Sequence, residues 1–223
     1  MVTIKVPQAL VPSLLTVMYR SALCKKSTYD GNFIRTDVEG HHAITVEPKP
    51  YDDTGLYQIK LAMDGGGACK WRLSNVTLGV IYKQPEAFGE ALSFGMGGGV
   101  IVVFDHNNAQ HGGYGIKVDG DLFLAEDYYP WIDEEFVGGY RKTINLAGRA
   151  RTYLTYVAPR ARSVYIAPKL HSDFLLRSRA PKTNRDGDFT IYHYPDGSVY
   201  SDGKWHPNFS RLQSIRKKAD AAK

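Results

Sequence analysis

From Ser27 almost to the end of the chain, short runs of Val, Ile, Tyr, Phe and Thr alternate with turns rich in Gly, Asp, Asn and Pro. This alternation constrains the fold more than any other feature. β-Branched and aromatic residues fit a pleated, half-buried surface, and turn signals about every 8–12 residues are the mark of an all-β sandwich or barrel. Candidate strands are Ala43–Glu47, Leu56–Met63, Cys69–Leu73, Val76–Tyr82, Val100–Phe104, Gly115–Val118, Leu122–Ala125, Arg141–Leu146, Arg151–Val157, Ser163–Pro168, Phe174–Ser178, Phe189–Tyr194 and Ser198–Tyr200. Asp119-Gly120 and Asp196-Gly197 read as two-residue hairpin turns, since Gly and Asp tolerate positive φ. The pattern predicts a mainly β chain, with antiparallel sheets arranged as a sandwich or barrel.

Two segments depart from that rhythm. Between Pro12 and Lys26, the spacing of Leu14, Leu15, Val17, Met18, Ala22 and Leu23 predicts a short N-terminal helix with Ser13 as N-cap. Intervening Val and Thr keep a strand as the alternative. Asn208 to Lys223 is polar and predicts a short surface helix at the C-terminus. The length of 223 residues favours a single domain over 1–223. A seam near Gly138-Gly139 is the other reading, because the charge changes there. Residues 1–138 carry 11 Lys and Arg against 17 Asp and Glu, whereas residues 139–223 carry 17 against 6.

Cys24 and Cys69 are the only cysteines. A pair with no third partner fits one disulfide better than a metal site or redox motif, and a disulfide points to an oxidising compartment. Closing a loop of this length would stabilise the fold by about 4 kcal/mol in chain-entropy bookkeeping. Two unrelated buried thiols are the alternative. No run approaches the ~18 apolar residues of a spanning helix. Ala9 to Met18 makes a poor signal peptide, and Leu23 before Cys24 departs from a lipoprotein cysteine. The expectation is a periplasmic or envelope protein whose leader has been removed, with membrane anchoring left open.

The motifs of catalysis are sparse. Gly95 to Gly99 precedes a strand, and Val100 stands where a dinucleotide loop needs its last Gly. No phosphate loop, G-x-S-x-G elbow or H-E-x-x-H is present. Asp105, His106 and His111 offer a carboxylate and two imidazoles without a recognised zinc spacing, and a polar loop explains them equally well. They support a metal-dependent hydrolase as one alternative function. No cofactor or resident metal is expected.

The sharpest candidate for partner binding is Ala125 to Phe136, where five carboxylates surround two Tyr, one Trp and one Phe. Pro130 argues for a loop. Tyr128, Tyr129 and Trp131 would anchor an interface, with Asp133, Glu134 and Glu135 drawing in a basic partner. The competing reading tucks these rings into the chain's own core. In the basic half, Arg149/Arg151 and Arg160/Arg162 alternate at period two, as if lining strand faces. Binding of anionic envelope polymer or nucleic acid through that half is a second alternative function, with nucleic acid the less favoured ligand.

The run Asp64 to Val80 (DGGGACKWRLSNVTLGV), with Tyr19 to Cys24 (YRSALC) upstream, resembles envelope proteins of Gram-negative bacteria that act as immunity partners of secreted antibacterial toxins. Among these are the immunity proteins of type VI lipase effectors. The resemblance lies in a cysteine-linked, β-rich style of sequence and includes no catalytic motif. It implies a non-enzymatic periplasmic protein that binds a toxin and occludes its active site.

Overall fold

The computed structural model describes residues 1–109, 114–183 and 185–222. The chain is mainly β, with 48% of residues in strands and 8% helical. The strands of the described residues form three sheets. The first runs in the order Leu122–Leu124, Val164–Ile166, Val2–Lys5, Leu56–Ile59, Lys49–Pro50. The second runs Ile116–Lys117, Tyr153–Val157, Gly99–Val103, Trp71–Tyr82, Leu15–Tyr29, Arg35–Val46, with Leu10–Pro12 and Asp64–Gly66 also on Trp71–Tyr82. The third runs Val199–Tyr200, Ile191–His193, Leu176–Arg179, Asp127–Glu135, Arg141–Ala147, Ser93–Gly97, with Lys169–Leu170 beside Asp127–Glu135.

Residues of all three sheets meet in one apolar cluster: Val2 and Ile4 from the first, Val17, Leu78 and Val100 from the second, Tyr128, Ile132, Ile144 and Leu146 from the third. A smaller cluster of Tyr129, Trp131, Leu176, Tyr192, Tyr194 and Leu212 lies on the other side of the third sheet. The C-terminal helix, Phe209–Ala221, closes it. Asn208 caps this helix by accepting a hydrogen bond from the Arg211 amide at 3.1 Å, and Leu212 points fully inward.

Three expectations need correction. There is no N-terminal helix: Leu15–Tyr29 is a strand, with Leu15, Val17, Tyr19 and Ser21 buried at period two. Long-range pairing with both Arg35–Val46 and Trp71–Tyr82 overrides a spacing that suits either structure. The sheets are also mixed. Gly99–Val103 with Tyr153–Val157, Val2–Lys5 with Val164–Ile166, and Asp127–Glu135 with Leu176–Arg179 are all parallel. Local alternation carries no information on strand direction, which is set by distant crossovers. Finally, Asp119-Gly120 turns between strands of different sheets and makes no hairpin. Asp196-Gly197 does make one, with Tyr194 and Ser198 paired across it. Gly138-Gly139 is the turn between the paired strands Asp127–Glu135 and Arg141–Ala147, so the charge switch falls at a hairpin tip.

Candidate functional site

The strand Leu15–Tyr29 pairs residue by residue with Arg35–Val46 up to Ser21 and Gly40. There it bulges: Ala22 to Lys25 stand opposite Glu39 alone before pairing resumes at Lys26 and Val38. Ser21 organises the bulge. Its hydroxyl oxygen accepts hydrogen bonds from the amides of Leu23 (3.1 Å) and Cys24 (3.0 Å), and its O–H donates to the Cys69 carbonyl. Cys24 is bonded to Cys69, with Cα atoms 5.3 Å apart, and this ties the bulge to the turn before Trp71. Gly40 completes the joint, since a Cβ there would lie 1.8 Å from the Cys24 carbonyl oxygen.

Beyond this staple the hairpin leaves the sheet. Pairing with Trp71–Tyr82 stops at Arg20, and every residue from 25 to 38 is exposed. The projecting arm is held by its own contacts: Ser27 donates to Asp37 at 2.7 Å, Arg35 to Ser27 at 3.0 Å, and Asp30 accepts the amides of Asn32 and Ile34 at 2.8 and 2.9 Å. Its tip presents Tyr29, Phe33 and Ile34 at 69%, 87% and 61% exposure. Phe33 has φ +60°, a left-handed conformation that bulky residues rarely adopt. The left-handed residue closes a three-residue hairpin turn, in which the Phe33 amide donates to the Asp30 carbonyl and the Asp30 amide to the Ile34 carbonyl, both at 3.0 Å; what the chain's own packing leaves unused is the exposed ring itself.

The acidic, aromatic segment singled out by sequence is a strand, Asp127–Glu135, and not a loop. It lies between Arg141–Ala147 on one side and Lys169–Leu170 and Leu176–Arg179 on the other. Pro130 falls in the gap between the last two, where no second neighbour needs its missing N–H. Both faces of this strand are covered. Tyr128 and Ile132 enter the large cluster, and Tyr129 and Trp131 the smaller one. Tyr129 is fully buried beneath the C-terminal helix: its ring stacks on His171 at 5.0 Å, and its hydroxyl accepts from Arg216 Nε at 3.1 Å. Trp131 donates through Nε1 to Ser178 at 2.6 Å, and the Ser178 hydroxyl donates to Asp133. Of the six predicted contact residues, only Glu134 and Glu135 are appreciably exposed. Glu134 faces Lys142 at 3.6 Å, and Glu135 is bound by Arg141. Two-sided burial is the reason the other four present no surface.

Asp133 nevertheless borders an open cleft. Burial pushes its carboxyl above the usual range, against the stabilising bond from Ser178. The cleft has a volume of about 480 Å³ and lies between the end of this strand, the segments at Pro181 and Phe189, and the turn at Lys204-Trp205. A second cavity, of about 410 Å³, adjoins it at Arg151 and Lys204 and includes Arg149 and His206. Arg149, Arg151 and Arg162 lie in bends and Arg160 in a turn, so neither pair lines a strand face. Arg149 donates to Glu126 (2.8 Å) and to the Tyr156 hydroxyl (2.9 Å). Burial, with Glu126 alongside, pushes the Tyr156 hydroxyl up to about 12.

Asp105 accepts the Asn107 amide at 2.9 Å, and Asn107 Nδ2 bridges Asp105 and Glu39. His111 lies outside the described residues. Among the described residues, no three His, Cys, Asp or Glu side chains converge to hold a metal, and no helix is long and apolar enough to cross a membrane. The glycine-rich stretch Gly95 to Gly99 spans two strands where backbones cross closely: a Cβ on Gly97 would lie 2.0 Å from the Leu146 carbonyl oxygen. The arm was hidden from sequence reading because its apolar tip residues are scattered among polar ones. The one signal pointing to it was Tyr29-Asp30 and Phe33-Ile34 flanking Gly31-Asn32.

No family model matches the chain, and neither does any curated protein or solved structure.

Proposed function

We propose that this chain is a non-enzymatic, exported binding protein of the bacterial envelope that inhibits a secreted toxin by inserting the Lys25–Val38 arm into the toxin's active-site cleft. The observation that carries this reading is the arm: a hydrogen-bonded ribbon, stapled at its base, with an exposed apolar tip. A two-stranded ribbon is marginal alone, so a bond at its root supplies the rigidity that insertion demands. Holding the tip in place before contact lowers the entropy lost on binding. The Cys24–Cys69 bond is compatible with the oxidising periplasm, where such an inhibitor would meet an incoming toxin. The contacts are thereby placed at Tyr29, Phe33 and Ile34 instead of Tyr128, Tyr129 and Trp131, and Glu134 and Glu135, paired with Lys142 and Arg141, are given no part in them.

The test is protection. The chain is exported in sensitive bacteria that each produce one candidate toxin of the type VI lipase class, and each pair is purified for calorimetry. Wild type should protect and bind. Replacing Tyr29, Phe33 and Ile34 together by Ser should abolish protection and weaken binding at least about a hundredfold, as hot-spot clusters do, without changing the melting temperature. Full protection by that variant would refute the role of the arm.

A further inference from the structure

The basic half holds a second feature that the arm does not use. The cleft at Asp133 and the adjoining cavity share Arg151 and Lys204 in their walls. We propose that together they form a binding groove for an acidic saccharide chain, with sugar rings stacked on Trp205 and Phe189 and acid groups held by Arg151 and Lys204.

The argument starts from the aromatics. Trp205 and Phe189 are 78% and 52% exposed at the mouth of the cleft, beside Phe136. Large rings left open to water at a concave site suit a ligand with apolar faces and polar edges, which describes a pyranose. Gly203 lets the Trp205 turn approach Phe189: a Cβ at Gly203 would lie 3.2 Å from the Phe189 ring.

The charges then select the ligand. Glu135 is occupied by Arg141, and Asp188 accepts from the Thr183 hydroxyl at 2.6 Å. Asp133 is 9% exposed and already accepts from Ser178, with Arg151 among the charges that favour its ionised form. Arg151 makes no hydrogen bond or ion pair among the described residues, and Lys204 is only loosely engaged, with Asp202 at 3.7 Å. Among the described residues, the three carboxylates of the cleft thus already have partners within the protein, whereas Arg151 and Lys204 keep donors for a ligand, and a guanidinium pairs with a carboxylate through two parallel bonds. The second cavity adds Arg149 and His206 and, among the described residues, has no carboxylate in its walls. Two cavities joined at two cations suit a chain of more than one acidic unit.

The probe is tetragalacturonic acid, compared with neutral cellotetraose and with a single-stranded oligonucleotide of matched charge. Binding is read by calorimetry and by tryptophan fluorescence. Saturable binding of tetragalacturonic acid, at least tenfold tighter than cellotetraose and weakening as salt rises, is expected. Trp205→Ala and Arg151→Gln should each weaken it at least tenfold, and both variants should retain the wild-type melting temperature. Absence of saturable binding at millimolar concentration would overturn the proposal. So would equal binding of cellotetraose, indifference to both variants, or tighter binding of the oligonucleotide. Neither variant touches the arm, so toxin protection by Trp205→Ala separates failure here from failure of the inhibitor reading.

Discussion

At the tip of the arm, Tyr29, Phe33 and Ile34 stand in solvent on a ribbon that pairs only with itself. In the strand Asp127–Glu135, Tyr128, Tyr129 and Trp131 lie buried between two apolar clusters. The two regions use similar residue types for opposite ends. Aromatic density by itself does not mark a binding surface, because large rings are also the best filling for a strand covered on both faces. Apolar side chains that stand in solvent together at the tip of a projecting turn are more informative, since the chain's own core does not use them.

The contrast can be broken by mutation, and the largest effect should fall on the buried strand. Trp131→Ala removes a core side chain and leaves Ser178 without its donor, and it should cost about 3–5 kcal/mol of stability in chemical denaturation. If it left stability unchanged but abolished partner binding, the two regions would have to exchange roles. Next comes the staple. Replacing Cys24 and Cys69 together by Ala should cost about 4 kcal/mol, and hydrogen exchange should show protection lost first between residues 26 and 38. Protection that persists there would mean the arm is rigid without its staple.

A smaller effect, of opposite sign, is expected at the tip. Phe33→Gly relieves the left-handed backbone and should raise stability by no more than about 1 kcal/mol while weakening partner binding. A thermal shift downward would show that Phe33 packs more than its exposure indicates.

The smallest effect is a pH dependence at Asp133. Its carboxyl is raised in the folded state, chiefly by burial, so the fold binds this proton more tightly than the unfolded chain does. The stability benefit of protonation is present at acid pH and lost as pH rises from the ordinary carboxylate value of 3.8 through the raised folded value. Asp127 acts in the opposite sense. Burial disfavours its charge, but the hydrogen bond from His171 and the charges of His171 and Arg216 hold its carboxyl low. Comparison with Asp133→Asn cancels that contribution. The stability gap between wild type and variant should move against wild type as pH rises through this window. A gap independent of pH would show that Asp133 titrates normally.

Much of the fold was legible along the chain. Val100–Phe104, Arg141–Leu146 and the C-terminal helix were expected within a few residues of where they stand, and Cys69–Leu73 and Val76–Tyr82 as two strands where one, Trp71–Tyr82, runs, because β-branched runs and turn residues act locally. Leu15–Tyr29 and Asp127–Glu135 were misread for related reasons. In the first, an apolar spacing compatible with a helix was overruled by two distant strands. In the second, Pro130 suggested a loop, yet the neighbouring strand happens to be interrupted beside it.

By itself, then, the sequence determined the β class, the one pairing open to its two cysteines and the positions of most strands. These follow from residue chemistry over a few positions, or from there being no other thiol to choose. Strand direction, the two-sided burial of Tyr129 and Trp131, the departure of the arm from its sheet and the meeting of Arg151 with Trp205 in one groove were decided by tertiary structure alone. Each depends on contacts between segments tens of residues apart, and local pattern carries no record of which distant segment will arrive.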